Sequence, residues 1–315
     1  MLNLTNAEVK ELLEWPRLID ALDGAFRSGA SNPPRQQYQI PVEGEPAGTL
    51  LLMPAWTVGG YIGLKTVTVF PGNSARREPS VNAQYLLLDA VSGHPLASLE
   101  ADELTARRTA AASALASRFL SRRDSRKLLV VGTGRLSPNL VEAHCAVRDF
   151  EEVVIWGRNA QNAEAVADAM AKNGIPARGG ADLEAEARTA DVISCCTLAT
   201  SPLVLGDWLR EGCHLDLVGA FTPDMRETDD RAMARGRIFV DTHEGATRES
   251  GEIVQAVKNG TISLADIQAD MAALVRGELP GRRQAADITI FKSVGCGLED
   301  LAAAAFCYKQ VKGQA

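Results

Sequence analysis

The chain has 315 residues, 46% of them hydrophobic and only 5% aromatic, and a formal net charge of −7. That length and apolar content suffice for two ordinary domains with substantial cores, and no apolar run approaches the roughly 20 residues of a membrane span. An acidic balance with few aromatics excludes a phosphate-tracking or base-stacking surface, so the expected partners are small molecules, with neither nucleic acid nor membrane.

The amino terminus, MLNLTNAEVKELLEW, carries acids in an amphipathic helical pattern. It is unlike a secretory signal or a basic transit peptide, which implies a cytoplasmic location. Strand-like runs follow at Thr49 to Met53, Tyr61 to Phe70 and Ala83 to Asp89, and Ser92-Gly93 turns the chain into His94 to Glu100. This is a mixed, antiparallel α+β unit. Within GLKTVTVF, alternation puts Lys65 on one face with Val67 and Val69. Such a lysine either blunts an edge strand or is a buried ammonium that needs a partner.

Leu104 to Leu120 reads as a helix. Its stripe of Leu104, Arg108, Ala111, Leu115 and Phe119 turns Arg108 toward the core, whereas Arg107, about 100° away, is expected to reach water. A buried guanidinium requires an anion. The candidates are an internal acid such as Glu100 or Asp102, or the carboxylate of a substrate, which suits the planar fork.

In RKLLVVGTGRLS an apolar run breaks into Gly132-Thr133-Gly134 and then a helix-compatible segment. Gly132 permits the tight turn, and Gly134 lets a dinucleotide pyrophosphate approach main-chain N–H groups. The third glycine position is Ser137, followed by Pro138. A proline there removes one N–H and disfavours helical geometry at Ser137, predicting a late or deflected helix start. Further strands are expected at Glu152 to Trp156, Ala190 to Cys196, His214 to Ala220 and Arg237 to Asp241, alternating with helices such as Asn162 to Lys172. Near-continuous apolar runs of this kind make a parallel sheet covered on both faces, so residues 122 to 287 read as a doubly wound α/β domain. The second strand ends in Trp156-Gly157-Arg158-Asn159 with no acid for a ribose 2′-hydroxyl. Arg158 suits a 2′-phosphate instead, which favours NADP(H) and leaves NAD(H) possible. The six cysteines have neither metal-ligand nor disulfide spacing, and no metal is expected.

The segments GLKTVTVFPGN, LLLDAVSGHPLASLEADELTARRTAAASALAS, the GTG turn, VGAFTPDMRETDD and DITIFKSVG, in that order, resemble the ornithine cyclodeaminase and mu-crystallin family along nearly the whole chain. The resemblance implies a homodimer of subunits in which a Rossmann-type domain, 122–287, is inserted into a substrate-binding and dimerisation domain made of 1–121 and 288–315. It implies chemistry at an amine or imine carbon beside a carboxylate, with NAD or NADP. Arg35, Lys65 and Arg108 become the cationic substrate shell, closed by Val294. Ser80, Thr109, Gly132, Thr133, Gly134, Arg135, Leu136, Arg158, Asn159, Thr197, Gly219, Phe221 and Ser293 become the cofactor shell.

Deaminating members of that family carry a basic aspartate in a G-G-D-x-P run, and here the matching residue is Phe221. A phenyl ring accepts no proton, which disfavours ornithine cyclodeaminase activity. Reduction of a preformed imine asks less: a carboxylate held by Arg108 and Lys65, a hydride, and one proton, for which Lys65 is the candidate donor. The leading expectation is an NAD(P)H-dependent ketimine reductase or amino-acid dehydrogenase. The alternatives are an ornithine or lysine cyclodeaminase and a non-catalytic NADP and small-molecule binding protein.

Overall fold

The computed structural model describes residues 1–314 and divides into two units: Met1–Arg108 with Cys296–Ala315, and Thr109–Gly295.

The first unit holds a six-stranded sheet of β1 (Leu2–Leu4), β2 (Gln36–Ile40), β3 (Gly48–Trp56), β4 (Tyr61–Val69), β5 (Val81–Asp89) and β6 (Pro95–Glu100) in the order β1-β6-β5-β4-β3-β2. β2 to β6 form antiparallel pairs, and β1 joins β6 in parallel. The β5–β6 turn forms at the expected Ser92-Gly93. Asp89 Oδ1 accepts from the Val91 and Ser92 N–H groups and the Ser92 hydroxyl, and Gly93 takes a φ of 71°. The carboxyl-terminal helix Gly297–Val311 packs on β3, β4 and β5 and on the helix Trp15–Ser28, which buries Leu18, Ile19, Leu22 and Phe26. The start of that helix approaches β3 so closely that a Cβ on Gly297 would lie 3.1 Å from the Pro54 carbonyl oxygen.

The second unit is an eight-stranded, wholly parallel sheet. Its strands are β7 (Lys127–Val131), β8 (Glu152–Trp156), β9 (Ala177–Gly179), β10 (Val192–Cys195), β11 (His214–Leu217), β12 (Arg237–Val240), β13 (Ile267–Asp270) and β14 (Thr289–Lys292), in the order β13-β12-β14-β11-β10-β7-β8-β9. From β7 the chain builds outward through β8 and β9, then returns to β7's other side with β10. That reversal puts a crevice beyond the carboxyl ends of β7 and β10, the position where open α/β sheets bind ligands. Buried Val, Ile and Leu side chains on both faces form the two cores that hold it.

Two expectations change. The helix after the GTG turn begins without delay at Leu136, because Pro138 sits in its first turn, where N–H groups have no intrahelical acceptor anyway. The divisions fall at 108/109 and 295/296 rather than at 121/122 and 287/288. The later half of the helix Ala101–Leu120 is tied into the second unit, with Ser113 donating to Asp216 and Arg282 N–H to the Phe119 carbonyl. Thr289–Lys292, assigned by sequence to the first domain, is an inner strand of the parallel sheet between β11 and β12.

Candidate active site

The glycine turn forms one wall of a cleft of about 490 Å³ in the second unit, lined by Gly132, Thr133 and Gly134 after β7, Trp156 to Arg158 after β8, and Cys196 to Ser201 with Leu203 after β10. Gly132 adopts φ 131°, and a Cβ there would stand 2.8 Å from Cys196 Sγ, so only glycine fits. At Gly157 a Cβ would fall 2.5 Å from Thr133 Cγ2, so the two strand ends close on each other. A cradle of bare backbone at the switch point, opening onto a helix amino terminus, fits a dinucleotide.

Of the expected cofactor residues, Gly132, Thr133, Gly134, Arg158 and Thr197 are brought together here. Arg135 and Leu136 lie where the following helix begins. The Asn159 side chain instead caps the helix Ala160–Lys172, accepting from the Gln161 and Asn162 N–H groups. Gly219 is buried, and Phe221 is 47% exposed. Ser293 and Val294 are fixed by Asp241, which accepts the Ser293 hydroxyl and the Val294 and Gly295 N–H groups. Thr109 is buried on the helix Ala101–Leu120, and Ser80, just before β5, gives its carbonyl to the Phe70 N–H.

The cationic residues gather in the first unit. Lys65 is 2% exposed on an inner strand, which rules out the edge-strand role, and its Nζ lies 2.7 Å from Asp300 Oδ2. Asp300 also accepts from Arg108 Nε at 2.8 Å, while Arg108 Nη1 donates to Glu299 at 2.5 Å. The anions that sequence assigned to Glu100 or Asp102 are thus Glu299 and Asp300, in the first turn of the carboxyl-terminal helix. There the helix dipole favours negative charge, and Leu298 N–H is anchored on Asn32. Two cations and two carboxylates balance, and Arg35 adds a further positive charge that acts on Lys65. Burial pushes the Lys65 ammonium down to about 8; Asp300 opposes the shift, and Arg108 and Arg35 assist it. Gly63 of the GLK strand is fixed by sterics, since a Cβ would fall 1.7 Å from the Tyr85 hydroxyl.

Arg107 departs from expectation. It is 7% exposed, with Nε donating to the Leu13 carbonyl and its guanidinium 4.1 Å from the Trp15 ring centroid. The helix is enclosed on more sides than one apolar stripe implied. Sequence reasoning also missed Glu299 and Asp300, although Asp300, Ala303, Ala304 and Cys307 recur at helical spacing and all are buried. All six cysteines are free thiols, and burial raises those of Cys195 and Cys196 well above the usual range.

A switch-point glycine cradle and, on the same chain, two buried cations bridged by one aspartate define a nicotinamide-dinucleotide oxidoreductase. The chain belongs to the ornithine cyclodeaminase/mu-crystallin family, whose model matches residues 1–315. It is 37% identical over 304 residues to Delta(1)-pyrroline-2-carboxylate reductase of Paracoccus denitrificans, covering 96% of this chain and 94% of that protein. It is 34% identical over 297 residues to ketimine reductase mu-crystallin of Rattus norvegicus, covering 92% and 91%. Among solved structures, Thermococcus litoralis Delta(1)-pyrroline-2-carboxylate reductase, in complex with NADH and L-proline, superposes with a TM-score of 0.92 at 33% identity, covering 99% of this chain and 98% of that one. No helix among the described residues is long and apolar enough to cross a membrane.

Proposed function

We propose that this chain reduces the C=N bond of a small cyclic ketimine or 2-imino acid at the expense of NAD(P)H. The observation that carries this reading is the buried Lys65–Asp300–Arg108 cluster on a chain that also has a dinucleotide cradle. When bound, the reduced cofactor supplies the hydride that the imine carbon accepts, and the nitrogen takes one proton, so that C=N becomes CH–NH. Arg108 holds the substrate carboxylate: Nε and Nη1 are committed to acids, while Nη2 makes no hydrogen bond among the described residues. Lys65 donates the proton. With its pKa near 8 it is charged at neutral pH yet close to the range in which proton transfer is efficient. Asp300 orients both cations and helps Lys65 regain its proton from water.

The reading is tested by following NAD(P)H absorbance with five- and six-membered cyclic 2-carboxy ketimines, and by assaying ammonia release from ornithine and lysine. Ketimine-dependent loss of NAD(P)H absorbance and no ammonia are expected, because Phe221 leaves the deaminating base's position without a proton acceptor. Rapid NAD-dependent ammonia release with no imine reduction would make the chain a cyclodeaminase.

NADP(H) is the preferred cofactor. Arg158 lines the cleft after β8, and no carboxylate lines it to hold a ribose 2′-hydroxyl. Arg158→Ala should cost NADPH about tenfold in affinity, on the order of one charge-assisted hydrogen bond, and leave NADH nearly unchanged. Equal affinities in the wild type, or an unaltered preference in the variant, sink this assignment.

The working unit is a homodimer. β2 ends its sheet with every residue exposed, Tyr38 and Ile40 among the glutamines, an edge strand whose outer side a second copy would cover. Light scattering should give twice the mass of one chain, and Tyr38→Lys should lower it.

A further inference from the structure

Glu227, Glu252 and Lys292 form a fully buried set of charges in the second unit that the catalytic reading leaves unused. Glu227 Oε1 accepts the Thr197 N–H at 2.5 Å and the Thr197 hydroxyl at 2.8 Å, and its Oε2 accepts the Gly219 N–H at 2.7 Å. Those two peptides lie one step past the ladder that joins β10 to β11, whose last bond runs from the Val218 N–H to the Cys195 carbonyl. The carboxylate replaces the next rung. Its insertion needs a glycine on β11's side, where a Cβ would stand 2.0 Å from the Thr197 carbonyl oxygen and 2.6 Å from Glu227 Oε1. Glu227 is itself held: its N–H donates to Glu252 Oε1 at 2.9 Å, and Lys292 Nζ lies 3.3 Å from Glu252 Oε2.

Thr197 and its successors form the β10 wall of the dinucleotide cleft. Without an acceptor, the buried Gly219 N–H and the half-buried Thr197 N–H would be unpaired, and the wall would have to move to satisfy them. We propose that Glu227 is a positioning residue of the cofactor site, clamping the ends of β10 and β11 so that Thr197 to Ser201 stand ready for the dinucleotide, with Glu252 and Lys292 locking the clamp. This rests on the dinucleotide reading of the cleft. Burial and Glu252 push the Glu227 carboxyl up to about 7 against the pull of Lys292 and of the Thr197 N–H and hydroxyl, so the clamp is a costly arrangement kept in place by those contacts.

The test is Glu227→Gln, which is nearly isosteric but turns an amide nitrogen toward one of the two peptide N–H groups. NADPH and NADH affinities measured by the fluorescence of the bound cofactor, on protein shown folded by circular dichroism, should weaken about tenfold. KM for the cofactor should rise in parallel, while KM for the imine at saturating cofactor should stay within about twofold of the wild type. Thr197→Val removes the hydroxyl but keeps the peptide contact; it should weaken binding roughly two- to threefold alone and add nothing in the Glu227→Gln background. Wild-type affinity in Glu227→Gln, or simple additivity of the two changes, overturns the clamp. If Glu227→Gln does not fold, unchanged affinity in Thr197→Val overturns it. Failure of the wild type to bind either cofactor would instead overturn the dinucleotide reading itself.

Discussion

Lys65→Met is expected to lower kcat/KM for imine reduction by about 10²- to 10⁴-fold, the usual worth of a positioned general acid, with little change in cofactor affinity. Methionine keeps the buried stem but removes the charge. The wild-type pH profile carries the same information. The donor must be protonated, so kcat/KM should be level at lower pH and fall as pH rises through about 8. Lys65→Arg, which stays charged throughout, should lose activity and also lose that alkaline limb. The stability consequence has the opposite direction. The folded pKa of Lys65 lies below the unfolded value of 10.5, so between about 8 and 10.5 the unfolded chain binds more protons. Lys65 alone therefore makes folding less favourable below pH 8 and relieves that cost as pH rises. A profile without a limb near 8, or one that persists in Lys65→Arg, would remove Lys65 from the proton-transfer role.

The doubly wound sheet was legible in sequence because parallel strands buried on both faces are written as unbroken apolar runs. EVVIW and KLLVV need no partner to be recognised as strands. The strands that sequence missed are of another kind. β1 is three residues long and pairs with β6, so its sequence LNL reads as the lead-in to the helix that Thr5 and Glu8 cap. β2, QQYQI, is polar and exposed throughout, and β9 and β13 are short edge-side strands. In the site, Lys65 and Arg108 announced themselves as charges on apolar stripes, a local signal. Their partners did not, because Asp300 is 192 residues from Arg108 and only the packing of the carboxyl-terminal helix on β4 brings it near. The same limit explains Arg107: a helical wheel identifies one buried face, and only the folded unit shows Trp15 and the Leu13 carbonyl closing over the next one.

Arg108→Ala is expected to show two separable losses, and Arg107→Ala only one. Removing the Arg108 guanidinium takes a cation away from both Glu299 and Asp300, two buried carboxylates, which should cost about 3–5 kcal/mol of unfolding free energy. In protein kept folded at low temperature, kcat/KM should also fall by about 2–5 kcal/mol of transition-state binding, because the substrate carboxylate loses its charged partner. Arg107→Ala removes one hydrogen bond to a carbonyl and one stacking contact, about 1–2 kcal/mol of stability, and should leave kcat/KM nearly unchanged. Two further variants separate the structural role of Arg108 from the functional one. Glu299→Gln removes a structural partner but keeps the guanidinium, so stability should fall while the KM for the imine holds or improves as Nη1 is freed. Arg108→Lys retains a charge facing Asp300 and should recover part of the stability. A point charge cannot face Asp300, Glu299 and a substrate carboxylate at once, so KM should remain far above the wild-type value. If Arg108→Lys restores both stability and kcat/KM, the fork is not reading a carboxylate and Arg108 serves only the internal ion pair.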